Sequence, residues 1–118
     1  MRMKNHIVVN LSTFCLSYYE EDTLISKYPV GIGKLSTPTP PGNYQIVEKL
    51  TFEKPDVVDL DFGSRRMVLS SDKTCIHGSW SGQVAGHVSG GCVRMYNQDI
   101  EEIFSKVEVG TPVIMIEA

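Results

Sequence analysis

A histidine and a cysteine, His77 and Cys92, stand fifteen positions apart in the stretch 76–95, IHGSWSGQVAGHVSGGCVRM, with Gly90-Gly91 directly before the cysteine. A thiol of ordinary pKa, about 8.5, is only a few per cent ionised at neutral pH, so an unassisted cysteine attacks carbonyls slowly. A neighbouring imidazole removes that limit by taking the proton. Glycines, which lack Cβ, let backbone N–H groups converge on a small anionic oxygen. Nucleophile, base and oxyanion donors can thus come from one segment. Each residue also has a plainer reading: a cysteine is ordinarily an inert small hydrophobe, a histidine a satisfied core or surface residue, and a glycine pair a turn or bulge. Cys75, His77, His87 and Cys92 include enough soft ligands for zinc, but Cys-x-His and His-x4-Cys are not common structural spacings. No metal and no cofactor are expected.

The same residues resemble the L,D-transpeptidase catalytic domain (YkuD-type) family of bacterial cell walls. That family's signature is histidine-glycine, a variable loop, then Ser-His-Gly-Cys-hydrophobic-Arg. Here the matching stretches read His77-Gly78 and Ser89-Gly90-Gly91-Cys92-Val93-Arg94. An opening IVVNLS, the phrase VGIGKLSTPTPPGNYQI over 30–46 and a closing VGTPVIMI over 109–116 follow the family's order, so the likeness covers nearly the whole chain. There is one departure: Gly90 stands where the family has a second histidine.

At 118 residues the chain reads as one domain, 1–118, with room for one core. A hydrophobic share of 42% with 21% charged residues indicates an ordinary globule, and a net charge of −3 without any basic block excludes a general nucleic-acid binder. The apolar run 7–9 is too short for a signal core, and nothing later approaches a membrane span. Three cysteines leave at least one thiol free, which suits a cysteine enzyme better than a disulfide scaffold.

The elements that must hold this stretch read as mainly β: a single-domain sandwich or barrel-like mixed sheet with one docked helix after the cysteine, about 97–107. Ile7, Val9 and Leu11, then Leu16 and Tyr18, alternate as a hairpin. Leu24 to Val30 follow as a third strand after the acidic turn Glu20-Glu21-Asp22. Residues 31–42, with Pro38, Pro40 and Pro41, read as a rigid loop, and the resemblance makes it a wall of a substrate groove. Residues 43–49 return as strand. Residues 50–66 show no clean period and suggest a long loop, anchored by residues such as Phe52 and Phe62, that could overlie the site. Asp56, Asp59 and Asp61 match a calcium loop only loosely. Residues 67–70 and 73–77 are short strands that put His77 at a strand end, His87 reads as a loop residue, and Trp80 either covers core or packs over the mouth. Asn97 reads as the helix N-cap, and Ile100, Ile103, Phe104 and Val107 take the spacing of one apolar face. Gly110 stops it, and 111–116 is a core strand.

The resemblance implies a mechanism. Cys92, assisted by His77 whose ring is oriented by the Gly78 carbonyl, attacks the carbonyl after the third residue of a peptidoglycan stem tetrapeptide and releases D-alanine. An amine acceptor then completes cross-linking; water in its place gives carboxypeptidase activity, and an inert thiol leaves a peptidoglycan-binding module. Backbone N–H groups of Gly90, Gly91 and Cys92 are the candidate oxyanion hole, each donor worth about 3–4 kcal/mol. Arg94, two residues from Cys92 on an alternating strand, has the planar fork to grip a carboxylate. Ser89 and Trp80 complete the candidate substrate contacts. The expected partner is the stem peptide, with no nucleic acid and no membrane span. The expected state is a monomer working at the cell wall, outside the cytoplasm.

Overall fold

Alternation decides the first hairpin. In the computed structural model, which describes residues 5–53, 62–80 and 84–118, Ile7 and Val9 of β1 (His6–Asn10) and Leu16 and Tyr18 of β2 (Cys15–Glu20) are all fully buried. The intervening residues face outward, as period two demands. The turn between them is held by Asn10, whose Oδ1 accepts the N–H groups of Ser12 and Thr13 at 3.0 and 3.2 Å. β3 (Thr23–Pro29) pairs with β2 at the sheet edge and is mostly exposed.

On its other side β1 pairs in parallel with β10 (Pro112–Ile116), which pairs antiparallel with the start of β5 (Gly42–Thr51). β5 is the corner of the fold. Its residues 42–45 match β10, whereas 46–51 match β6 (Arg65–Leu69), with a register shift between Ile46 and Glu48. An extra residue at such a shift bends the strand, and the mixed sheet curls there. β7 (Cys75–His77), β8 (Gly86–Ser89), β9 (Val93–Arg94) and β4 (Gly31–Gly33) complete ten strands among the described residues, in the order β3-β2-β1-β10-β5-β6-β7-β9-β4-β8. The expected mainly-β sandwich or barrel-like mixed sheet forms as one curled mixed sheet, with one docked helix among the described residues.

Two local expectations are corrected. Residues 31–33 are strand rather than loop, because the prolines begin only at Pro38 and leave the Gly31–Gly33 backbone able to pair with β8 and β9. His87 is a strand residue: β8 runs parallel to β4 with Ile32 opposite His87, and the His87 Nδ1 lies 3.0 Å from the Gly33 carbonyl. The lid suggested for 50–66 falls largely on 54–61, which lie outside the described residues, together with Asp56, Asp59 and Asp61.

The helix α1 (Asn97–Phe104) docks through Ile100 and Ile103, both fully buried. It is shorter than 97–107, because the chain tightens after Phe104 with Lys106 N–H donating to the Ile103 carbonyl at 2.9 Å. Val107 stays buried beyond its end. Asn97 is the first helical residue rather than the cap. The cap position is Tyr96, without a side-chain bond, and Asn97 Oδ1 instead accepts the Ser64 N–H at 2.9 Å.

Candidate active site

β7 and β9 lie side by side and parallel, with Ile76 opposite Val93 and His77 opposite Arg94. Partners in such a pair share a face, and Ile76 and Val93 both point into the core with no exposed surface. Cys75, His77 and Arg94 therefore share the opposite face, and Cys92 falls there too, level with Cys75. Arg66 of β6, opposite His77, joins the same row. The two sulfurs, Cys75 Sγ and Cys92 Sγ, are 2.7 Å apart, and a ring nitrogen of His77 lies with both inside a span of 4.8 Å. These are ligand types that a thiophilic metal could use.

The imidazole is fixed from behind. His77 Nδ1 is 2.6 Å from the Gly78 carbonyl. A carbonyl only accepts, so Nδ1 carries the hydrogen and Nε2 is left as the basic nitrogen. Gly78 is a glycine for a packing reason: a Cβ there would lie 2.3 Å from Asn97 Oδ1. Phe62 meets the His77 ring edge-on at 5.4 Å, and the Arg66 guanidinium stacks over Phe62 at 4.2 Å. The far end of the 50–66 segment thus reaches the imidazole.

The turn before Cys92 is braced from inside. Ser89, buried, donates its hydroxyl to the Cys92 carbonyl at 2.5 Å and accepts the Gly91 N–H at 3.2 Å. The Ser89 hydroxyl thus braces the turn from within. The Gly91 carbonyl accepts two buried hydroxyls, Thr39 at 2.8 Å and Thr74 at 2.9 Å. In a trans peptide the C=O and the next N–H point in opposite directions, so pinning this carbonyl aims the Cys92 N–H away from the threonines. Gly91 needs its φ of 131°, and a Cβ would sit 3.1 Å from the Lys73 carbonyl. Around Gly90 a Cβ would meet nothing within 4 Å.

Electrostatics favour a thiolate at one sulfur of the pair. The Cys92 pKa is lowered to about 7, first by the S–H of Cys75 donating to it, then by its hydrogen bond with the Cys75 backbone and by the nearby charges of Arg66 and Arg94. Burial opposes these effects without cancelling them. Cys75 is pushed strongly upward, first by its bond to Cys92 and then by burial, so it holds its proton. Trp80 is 38% exposed.

Cys92, His77, Gly78 and Arg94 are brought together. The sequence pattern does not point to Arg66, Phe62, Thr39 or Thr74 as site residues, and it offers Cys75 only as a potential metal ligand. Cys75 carried a readable signal, since it stands two residues from His77 on a strand. Thr39 and Thr74 carried none, because they act from remote loops.

Residues 4–115 match the YkuD family model, described as the L,D-transpeptidase catalytic domain. A Bacillus licheniformis protein described as an L,D-transpeptidase, YkuD, is 38% identical over 108 residues, which are 91% of this chain and 62% of that protein. Its Bacillus subtilis namesake is 33% identical over 109 residues, 92% of this chain and 63% of that one. The chain therefore spans about three fifths of these curated relatives. Among solved structures, the catalytic domain of the Enterococcus faecium L,D-transpeptidase superposes with a TM-score of 0.79 at 24% identity, covering 98% of both chains. An L,D-transpeptidase from Mycobacterium smegmatis gives 0.80 at 19% identity, covering 96% of this chain and 58% of that one.

Proposed function

Because this chain belongs to the YkuD family of L,D-transpeptidase catalytic domains, we propose that it is a cysteine-dependent L,D-transpeptidase acting on peptidoglycan stem peptides. The observation that carries the reading is the row formed by Cys92, His77 and Arg94 on one face of β7 and β9, with Nδ1 of His77 held by Gly78. His77 Nε2 takes the proton of the Cys92 thiol, the thiolate attacks the amide carbonyl after the third stem residue to form a thioester, and the leaving amine of D-alanine takes that proton back from Nε2. Cys92 N–H and Gly90 N–H receive the oxyanion, since the Gly91 N–H is directed at Ser89. Arg94, with Arg66 beside it, grips the stem's carboxylates, and Trp80 flanks the groove. A side-chain amine of a second stem then displaces the thioester with His77 as base. Residues 1–118 act as one catalytic domain and a monomer. The wall substrate puts the site of action outside the cytoplasm.

The test is incubation of the purified chain with disaccharide tetrapeptides, followed by mass analysis. Loss of the terminal D-alanine with appearance of cross-linked dimers, both absent in Cys92→Ala, is the expected result. Loss of D-alanine followed only by hydrolysis would make the protein a carboxypeptidase. Binding without any covalent adduct, with no adduct to a carbapenem either, would refute the enzyme reading.

A further inference from the structure

Two sulfurs 2.7 Å apart, one on β7 and the other directly before β9, do more than supply one nucleophile. Cys75 opens β7 and Cys92 directly precedes β9, each one position before the paired Ile76 and Val93, and neighbouring strands run about 4.8 Å apart, inside the roughly 4.4–6.8 Å Cα span that a disulfide bridges. Both are free thiols, Cys75 buried and Cys92 partly open, so a small oxidant reaches Cys92 first. Cys15, on β2 in the other half of the sheet, is remote from them in strand order. The same face carries Arg66 and Arg94, whose charges favour a thiolate at Cys92 and disfavour a dication among Cys75, His77 and Cys92.

We propose that Cys75 and Cys92 are a disulfide-forming pair, in which Cys75 captures Cys92 after a hydroperoxide has oxidised it. The Cys92 thiolate attacks the distal oxygen of ROOH: an S–O bond forms, the O–O bond breaks, and the departing alkoxide takes a proton to leave as ROH. The sulfur is oxidised by two electrons to the sulfenic acid and the peroxide is reduced. The Cys75 sulfur then attacks the Cys92 sulfur, an S–S bond forms, the S–O bond breaks, and the hydroxide leaves with the Cys75 proton as water. A dithiol reverses the product by exchange. The captured sulfur is spared the irreversible sulfinic and sulfonic states, and while captured it cannot attack a stem peptide. Only this last consequence rests on the proposed function; the pairing itself does not.

The experiment uses the full chain with hydrogen peroxide and a metal chelator, read by intact mass, by iodoacetamide labelling and by peptide mapping. The wild type should lose about 2 Da, keep one alkylatable thiol at Cys15, and yield a peptide joining Cys75 to Cys92. Carbapenem adduct formation should fall at least tenfold and return on dithiothreitol treatment. In Cys75→Ala, the same peroxide should add oxygens to Cys92, and the dithiol should not recover what has passed the sulfenic stage. A wild type that gains oxygens on Cys92 while Cys75 stays alkylatable would overturn the proposal, as would a bridge to Cys15. So would stoichiometric zinc in the purified chain that shields both thiols until it is chelated. Mapping in the wild type alone decides the matter if the variant does not fold. If no carbapenem adduct forms even before peroxide, the enzyme reading fails and the mass loss still tests the pair.

Discussion

Thr39 and Thr74 converge on a single acceptor, the Gly91 carbonyl, and together they set the direction of the Cys92 N–H. Thr74→Val keeps the shape and removes one donor, for a cost of about 1 kcal/mol; Thr39→Val also takes the acceptor from the buried Gly33 N–H and costs about 1–3 kcal/mol, and replacing both strands the Gly91 carbonyl for about 1–3 kcal/mol more. The double variant should also acylate with a carbapenem about tenfold more slowly, measured by stopped-flow at saturating reagent, because a misaimed donor stabilises the oxyanion less. The two glycines of the turn should behave oppositely. Gly91→Ala forces a side chain into φ 131° beside the Lys73 carbonyl and should lose about 1–3 kcal/mol in urea unfolding. Gly90→His meets open space and should leave stability within about 0.5 kcal/mol. Thiol chemistry gives the pH dependence. With its pKa lowered to about 7, Cys92 is thiolate above that pH and loses the charge as pH falls through it, so alkylation should be half-maximal near pH 7. Removing the S–H donor in Cys75→Ala should move that midpoint upward. The types and spacing of His77, Cys92 and Arg94 made the chemistry legible in the sequence. The hydroxyls beneath the turn were illegible, because Thr39 and Thr74 reach Gly91 across 52 and 17 positions, and no local pattern encodes such a contact.

At the scale of elements, α1 is held at its end by a residue from elsewhere. The helix has no basic residue in its last turn, and Lys49 of β5 fills that role, donating to the Phe104 and Val107 carbonyls at 2.7 Å each while lying 4.2 Å over the Phe104 ring. A cation at a helix C-terminus meets the negative end of the dipole and otherwise unpaired carbonyls. Lys49→Met should therefore cost about 2 kcal/mol, read from the urea midpoint, and fray the helix in amide hydrogen exchange from its C-terminal end. The apolar face of this helix was readable from Ile100, Ile103, Phe104 and Val107. Its end was not, because the cap that sets it comes from a different strand. Asn97 shows the same limit from the other side: it has the chemistry of a cap, but its oxygen is occupied by Ser64 and packs against Gly78.

Over the whole molecule, the two halves of the sheet are joined through β5, and tyrosines bind the hairpin half to the region around the helix. Tyr18 donates to the Lys106 carbonyl and to Glu20 at 3.2 Å each, and Tyr28 donates to Glu102 at 2.5 Å. Burial, then the neighbouring carboxylate, pushes both phenols up to about 12. The folded state thus prefers the neutral phenol. This contribution is complete below the ordinary tyrosine value of about 10 and is lost as pH climbs through about 12. The urea midpoint should fall between pH 9.5 and 11.5 in the wild type, and by less in a variant carrying both Tyr18→Phe and Tyr28→Phe, which has no phenol to ionise at these sites. The strands with clean alternation were legible; β4 and β8 were too short, at three and four residues, to show a period, and β5 gives no sign in sequence that it serves two neighbours. The position of β10 between β1 and β5 bears on how the protein is made. On a ribosome, β1 has to wait for a strand that follows it by about a hundred residues before its open side is closed. Until residues 112–116 are available, the nascent hairpin and the half that carries the two thiols remain unjoined along that edge.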